Sequence, residues 1–141
     1  MRIRIFSLML CVCLLFTSMI PVMASAEEAT VQPRLTYIQT ATVMLSPVDD
    51  DTLNVYCSMD ADNSTVTNCY IKYTVQKKGF LGLSWSDKIS GSLSTGTYYA
   101  TVSRNITGFS SGTYRLKVEL TAKTSSGQSE TITVYSSEQK L

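Results

Sequence analysis

The sequence contains no histidine, so neither a Ser-His-Asp nor a Cys-His arrangement can be built, and no glycine-rich phosphate loop is present. What remains is the chemistry of carboxylates, thiols and phenols. A carboxylate pair for sugar cleavage would have to come from Asp49, Asp50, Asp51, Asp60, Asp62 or Asp87. All of these sit at turn signals, with no apolar pocket to raise the pKa of one member, so enzyme activity is not expected. For calcium, "DADNS" at 60–64 offers Asp60, Asp62 and Asn63, and "DDD" at 49–51 offers more oxygens. The two groups fall at opposite ends of one strand, and "DADNS" lacks the glycine and distal glutamate of an EF-hand loop. Solvated turns are the expectation. No catalytic residue, metal or cofactor is assigned.

Four cysteines are present, of which Cys11 and Cys13 lie in an N-terminal apolar run and only Cys57 and Cys69 lie beyond it. Outside the cell the latter two are expected to form one disulfide; the alternative is two buried free thiols. With no histidine they cannot complete a zinc site. If their strands form a hairpin with Cys57 opposite Cys69, then Val55 faces Ile71 and Leu53 faces Tyr73 on the inner side, while Tyr56 faces Tyr70 outside. The same parity also permits the two strands to lie in opposite sheets, with the cysteines meeting across the core. In the hairpin arrangement Tyr56, Tyr70, Asn54 and Lys72 share one exposed face. Such a face either stacks on sugars or peptides or merely stabilises the hairpin. Trp85 is expected in core or rim packing. The sequons "NST" at 63–65 and "NIT" at 105–107 would matter only in a eukaryotic secretory pathway.

The elements that must position these groups begin after a leader. Arg2 and Arg4 precede the apolar run "IFSLMLCVCLLF", followed by Pro21 and the small-residue site "ASA" at 24–26. Residues 1–26 are therefore expected to be a cleaved export signal, the competing reading being a retained membrane helix. Cys11 and Cys13 follow Leu10 and Val12, not the small residue that lipid attachment requires. Removing 26 of the 141 residues leaves 115, enough for one compact domain. Lys plus Arg falls from 12 to 10 against 11 acids, a net charge of −1. No electrostatic preference for nucleic acid or for an anionic membrane follows.

Residues 27–34 read as a loose lead-in and 35–141 as the folded domain. "LTYIQTATVML" aligns Leu35, Tyr37, Ala41, Val43 and Leu45; "LNVYCSM" aligns Leu53, Val55, Cys57 and Met59; "CYIKYTV" aligns Cys69, Ile71, Tyr73 and Val75. After the turn "KKGFLG" come a Ser-rich strand with Leu83, Trp85 and Ile89, then Tyr98, Ala100, Val102 and Ile106. "SSGTYRLKVELTA" alternates without a break, placing Tyr114, Leu116, Val118, Leu120 and Ala122 on one side, and "ETITVY" turns Ile132 and Val134 inward. No window sustains a helical period. Ser and Thr make up 33 of the 115 residues and alternate with apolar ones, which is strand-face composition. The fold class is all-β: an antiparallel sandwich of about seven strands.

Gly112-x-Tyr114-x-Leu116 resembles the tyrosine corner that opens strand F of immunoglobulin-like domains, in which the Tyr hydroxyl ties back to the chain upstream. Leu116 stands where antibody domains have cysteine. The order "TYIQTATVMLS", "VQKKG" with "SWS", "SSGTYRLKVELTA" and "SETITVYSSEQK" is similar to a family of short exported proteins of Gram-positive bacteria with no established activity. That resemblance implies secretion and a small β-domain, and assigns no site residues. The expected protein is thus a secreted, extracellular, non-catalytic immunoglobulin-like module. It would bind an extracellular protein or glycan, with no nucleic acid and no membrane once the leader is gone. The alternative is a structural or protective exoprotein without a specific ligand.

Overall fold

A computed structural model of the chain describes residues 35–141; the expected leader and lead-in lie outside the described residues. The strands are β1 (Ile38–Asp49), β2 (Thr52–Ala61), β3 (Val66–Lys78), β4 (Trp85–Thr95), β5 (Tyr99–Ile106), β6 (Thr113–Thr124), β7 (Ser129–Tyr135) and the two-residue β8 (Gln139–Lys140). They form a three-stranded sheet in the order β1-β2-β5 and a five-stranded sheet in the order β4-β3-β6-β7, with β8 beside β6. Every pairing is antiparallel. This is the immunoglobulin-like sandwich, with its fourth strand moved from the sheet of the first two strands to the edge beside β3.

The core is the sum of the inward rows. β6 contributes Tyr114, Leu116, Val118, Leu120 and Ala122; β2 contributes Leu53, Val55, Cys57 and Met59; β3 contributes Cys69, Ile71, Tyr73 and Val75. The unbroken alternation of β6 comes from its central position, with β3 and β7 pairing along its two edges and one side facing the core. Tyr114 is 1% exposed, and its hydroxyl donates to the Ser110 carbonyl oxygen at 2.5 Å. That contact is the tyrosine corner. Gly112 (φ +158°) lies against the Lys77 side chain, where a Cβ would collide with Cε. Lys77 Nζ in turn donates to Ser110 Oγ at 2.7 Å and to the Ser111 carbonyl at 2.8 Å, pinning the loop that carries the corner.

The Cys57–Cys69 hairpin does not form. β2 and β3 lie in different sheets, so Val55 pairs with Leu45 and Arg104, and Ile71 with Leu93 and Leu120. The reason lies at the end of β2, where both edges are already taken: the Ala61 N–H donates to the Tyr98 carbonyl and the Asp62 N–H to the Tyr37 carbonyl, each at 2.8 Å. No edge is left for β3. Asp62 then winds the chain out of the sheet, its carbonyl accepting from Val66 N–H (2.9 Å) and its carboxylate from Ser64 N–H (3.0 Å), Ser64 Oγ (2.8 Å) and Thr65 Oγ1 (3.0 Å). Cys57 and Cys69 thus sit on the inner faces of opposite sheets, both at 0% exposure. They are free thiols, in place of the expected disulfide.

Of the four register shifts in the sheets, two move residues away from the face that alternation assigns them. Between Ile38 and Thr40 the register of β1 slips by one residue, which turns Ile38 inward to 3% exposure although the row read from Tyr37 leaves it outside. In β4, Ile89 faces Val75 but Asp87 faces Gln76, so Lys88 is the extra residue. Trp85 and Ile89 therefore belong to opposite faces.

Candidate functional site

The expected face of Tyr56, Tyr70, Asn54 and Lys72 is divided by the topology. Tyr56 and Asn54 point outward from the three-stranded sheet, Tyr70 and Lys72 from the five-stranded one. Tyr70 is 41% exposed between Ser94 and Thr121; Lys72 lies between Ser92 and Glu119 and reaches the Glu119 carboxylate at 3.6 Å. Glu119 also bridges to Lys117 at 3.1 Å, and the Lys117 hydrogen bond holds its carboxyl below the usual range. Asn54 is tied to Asn105, Nδ2 to Oδ1, at 2.6 Å.

Tyr56 instead joins two tyrosines from β5 and the turn before it. On the outer face of the three-stranded sheet the cross-strand rows read Met44–Tyr56–Ser103, Thr42–Ser58–Thr101 and Thr40–Asp60–Tyr99. A groove of about 460 Å³ runs over these rows, lined by Thr40, Tyr56, Ser58, Asp60, Tyr98 and Tyr99 among others. The Tyr98 and Tyr99 rings meet edge to face, centroids 5.5 Å apart and planes at 70°. Their presentation is fixed locally: the Thr95 and Thr97 hydroxyls both donate to the Tyr99 carbonyl, at 3.0 and 2.8 Å, while the Tyr98 carbonyl holds the end of β2. Tyr98, expected to face the core, is 39% exposed, and Tyr99 is 55% exposed. The sequence carried a signal for Tyr99 alone, which alternates with the inward Ala100 and Val102; Tyr98 lies in the turn before β5, where alternation does not apply. Phenol rings, aliphatic hydroxyls and one carboxylate line this groove, and no basic side chain does.

The largest aromatic is spent elsewhere. Trp85 lies on the outer face of the five-stranded sheet, where the Arg115 guanidinium packs 4.1 Å from its ring and 4.4 Å from that of Tyr135. Arg115 Nε donates to Gln76 Oε1 at 2.8 Å, and Gln76 Nε2 to Asp87 Oδ1 at 2.7 Å. The cation covers both π faces, so the ladder closes on itself. Asp87 is thereby bound into that network. Asp49, Asp50 and Asp51 lie at the far end of β2 from Asp60 and Asp62, so no two of the separated carboxylate groups converge. Among the described residues, no cluster of three or more His, Cys, Asp or Glu could hold a metal ion.

No protein-family model and no curated protein matches the sequence. A solution structure of an Arabidopsis thaliana protein is similar at 18% identity and a TM-score of 0.44, over 79% of this chain and 89% of that one. A likeness so distant carries nothing from one chain to the other.

Proposed function

We propose that this is an exported, non-catalytic recognition module, of the Gram-positive exported family its motifs resemble, that binds carbohydrate at or beyond the cell envelope. The observation that carries the reading is the groove of Tyr56, Tyr98 and Tyr99. Tyrosine faces stack on the C–H faces of a sugar ring while hydroxyls and a carboxylate receive its hydroxyl groups, and such mixed lining gives orientation with little conformational cost. Export is supported by the leader pattern of residues 1–26, and intact mass of culture-supernatant protein starting at Glu27 is the expected result. A structural exoprotein without a ligand is the second reading; it is favoured by the Trp85–Arg115–Tyr135 ladder, which commits the biggest aromatic surface to internal contacts.

An array of bacterial surface polysaccharides and their oligosaccharides separates the two. Wild type is expected to bind at least one glycan, and Tyr56→Ala with Tyr99→Ala to lose about tenfold or more in affinity, since each stacked ring contributes on the order of 1 kcal/mol or more. Equal binding by both proteins, or none by wild type, overturns the carbohydrate reading.

A further inference from the structure

The turn between β3 and β4, residues 79–84, presents its apolar side chains to water: Phe80 is 103% exposed, Leu83 88% and Leu81 75%. The backbone that carries them is held in place. The turn is closed by its own backbone, Gly79 N–H to the Ser84 carbonyl at 2.8 Å and Gly82 N–H to the Gly79 carbonyl at 2.9 Å, with Gly82 at φ +70°. Apolar groups held at the tip of a rigid turn lose the favourable burial that the core residues gain, and contiguous exposure of this kind marks an interaction surface.

Behind the tip the side chains change in a definite order. Trp85, at the first position of β4, pairs with Lys78, whose Nζ stands 5.5 Å from the indole centroid. Three residues farther from the tip the β4 bulge places the exposed Lys88, beside Lys77 at the rim of a cavity of about 260 Å³. Lys78 is neutralised by Glu138 at 2.9 Å, and Arg115 is linked through Gln76 to Asp87. The cationic surplus at this end is therefore Lys77 and Lys88. A net charge near −1 for the chain without its leader conceals this local arrangement.

We propose that the 79–84 turn inserts into the outer layer of an anionic lipid membrane. Phe80, Leu81 and Leu83 would enter the acyl boundary, Trp85 would lie at the interfacial level, and the exposed Lys88 would face the phosphates, with the charge of Lys77, whose ammonium is held by Ser110 and Ser111, behind it. The sequence from tip to stem, apolar then indole then ammonium, matches the layers of a bilayer counted outward from the acyl chains to the phosphates. A protein partner fits less well. A convex tip of three side chains, with its backbone bonded to itself, offers neither an edge to pair with nor the roughly 800 Å² per partner of a standard interface. A fluid acyl layer requires no such complementarity.

Trp85, the single tryptophan of the chain, is the reporter. Full-length mature protein is titrated with vesicles of phosphatidylcholine containing phosphatidylglycerol, and binding is read by co-sedimentation, by a blue shift of Trp emission and by quenching with brominated acyl chains. Wild type is expected to bind, several-fold less on phosphatidylcholine alone. Phe80→Ser with Leu83→Ser should lower the partition coefficient by about a hundredfold, at unchanged melting temperature because both side chains are already in water. Lys88→Glu should weaken binding and flatten its salt dependence. Tyr56→Ala with Tyr99→Ala should bind vesicles as wild type does, which separates this proposal from the carbohydrate reading. No sedimentation with the anionic vesicles, or full binding by the Ser variant, overturns it. So does concentration-dependent self-association of wild type that the Ser variant abolishes, since the tip would then dock a second copy.

Discussion

Burial sets the chemistry of Cys57 and Cys69. Desolvation pushes the Cys57 thiol up to about 11; burial also raises that of Cys69, helped by the negative charge of Asp60. Thiolate is the reactive form, so the folded protein without residues 1–26 should not react with a thiol reagent at neutral pH, and unfolded but unreduced it should yield two sulfhydryls. Finding none on unfolding would restore the disulfide. Glu130 of β7 is a second residue with work to do across the sandwich: its carboxylate accepts the N–H groups of Thr36, Tyr37 and Ile38, each at 2.8 Å. Burial alone would raise its pKa, but these three donors together hold it below the usual range. A depressed folded pKa means stability that is full above the unfolded value and is lost as pH falls through the folded one. Glu130→Gln should therefore cost about 1–3 kcal/mol at neutral pH and flatten the acid limb of a stability-versus-pH curve. An acid limb identical to wild type would show that the clamp contributes nothing. Tyr114→Phe, which leaves the Ser110 carbonyl without its donor, should cost about 1–2 kcal/mol by denaturant titration.

At the scale of elements, legibility follows from whether a strand keeps its parity. β6 was readable in full, because every inward position from Tyr114 to Ala122 is apolar and nothing interrupts the period. β1 and β4 were not, because a bulge at Gln39 and another at Lys88 each exchange the faces of the residues on either side. Alternation counts positions and has no symbol for an extra one. The groove was half legible for a related reason: Tyr56 and Tyr99 follow from the parity of β2 and β5, whereas Tyr98 depends on a turn whose direction is set by the Thr95 and Thr97 hydroxyls. β4 also carries a close approach that composition hides. The Tyr73 ring lies over Gly91, and a Cβ there would overlap the ring atoms. Tyr73 is only 4% exposed and has little room to retreat. Gly91→Ala should therefore cost about 1–3 kcal/mol by overpacking, while Gly96→Ala, where nothing lies within 4 Å, should cost well under 1. Equal midpoints for the two variants in urea would mean that Tyr73 moves aside freely.

For the whole molecule the decisive feature is that β2 and β3, adjacent in sequence, belong to different sheets. A chain that had made the hairpin would expose one aromatic face; the sandwich exposes two that cannot cooperate, Tyr56 on one side and Tyr70 on the other. The choice was open in the sequence because inward parity is the same in both arrangements. It was closed by the competition of β1 and β5 for the edges of β2, which only the folded chain displays. The two arrangements differ greatly in one distance. Across a hairpin the Tyr56 and Tyr70 Cβ atoms would lie about 5 Å apart. Across the sandwich they are separated by the sheet spacing of about 10 Å plus two outward side chains, roughly 20 Å between side-chain ends. Nitroxide labels at Tyr56→Cys and Tyr70→Cys read this directly, and the folded protein takes label only at these outward positions because Cys57 and Cys69 are buried and protonated. Pulsed dipolar spectroscopy should return a distance beyond about 20 Å once the label arms are included, with no broadening of the continuous-wave spectrum. Strong dipolar broadening in the doubly labelled protein, absent from the singly labelled ones, would place the tyrosines side by side and return them to a single binding face.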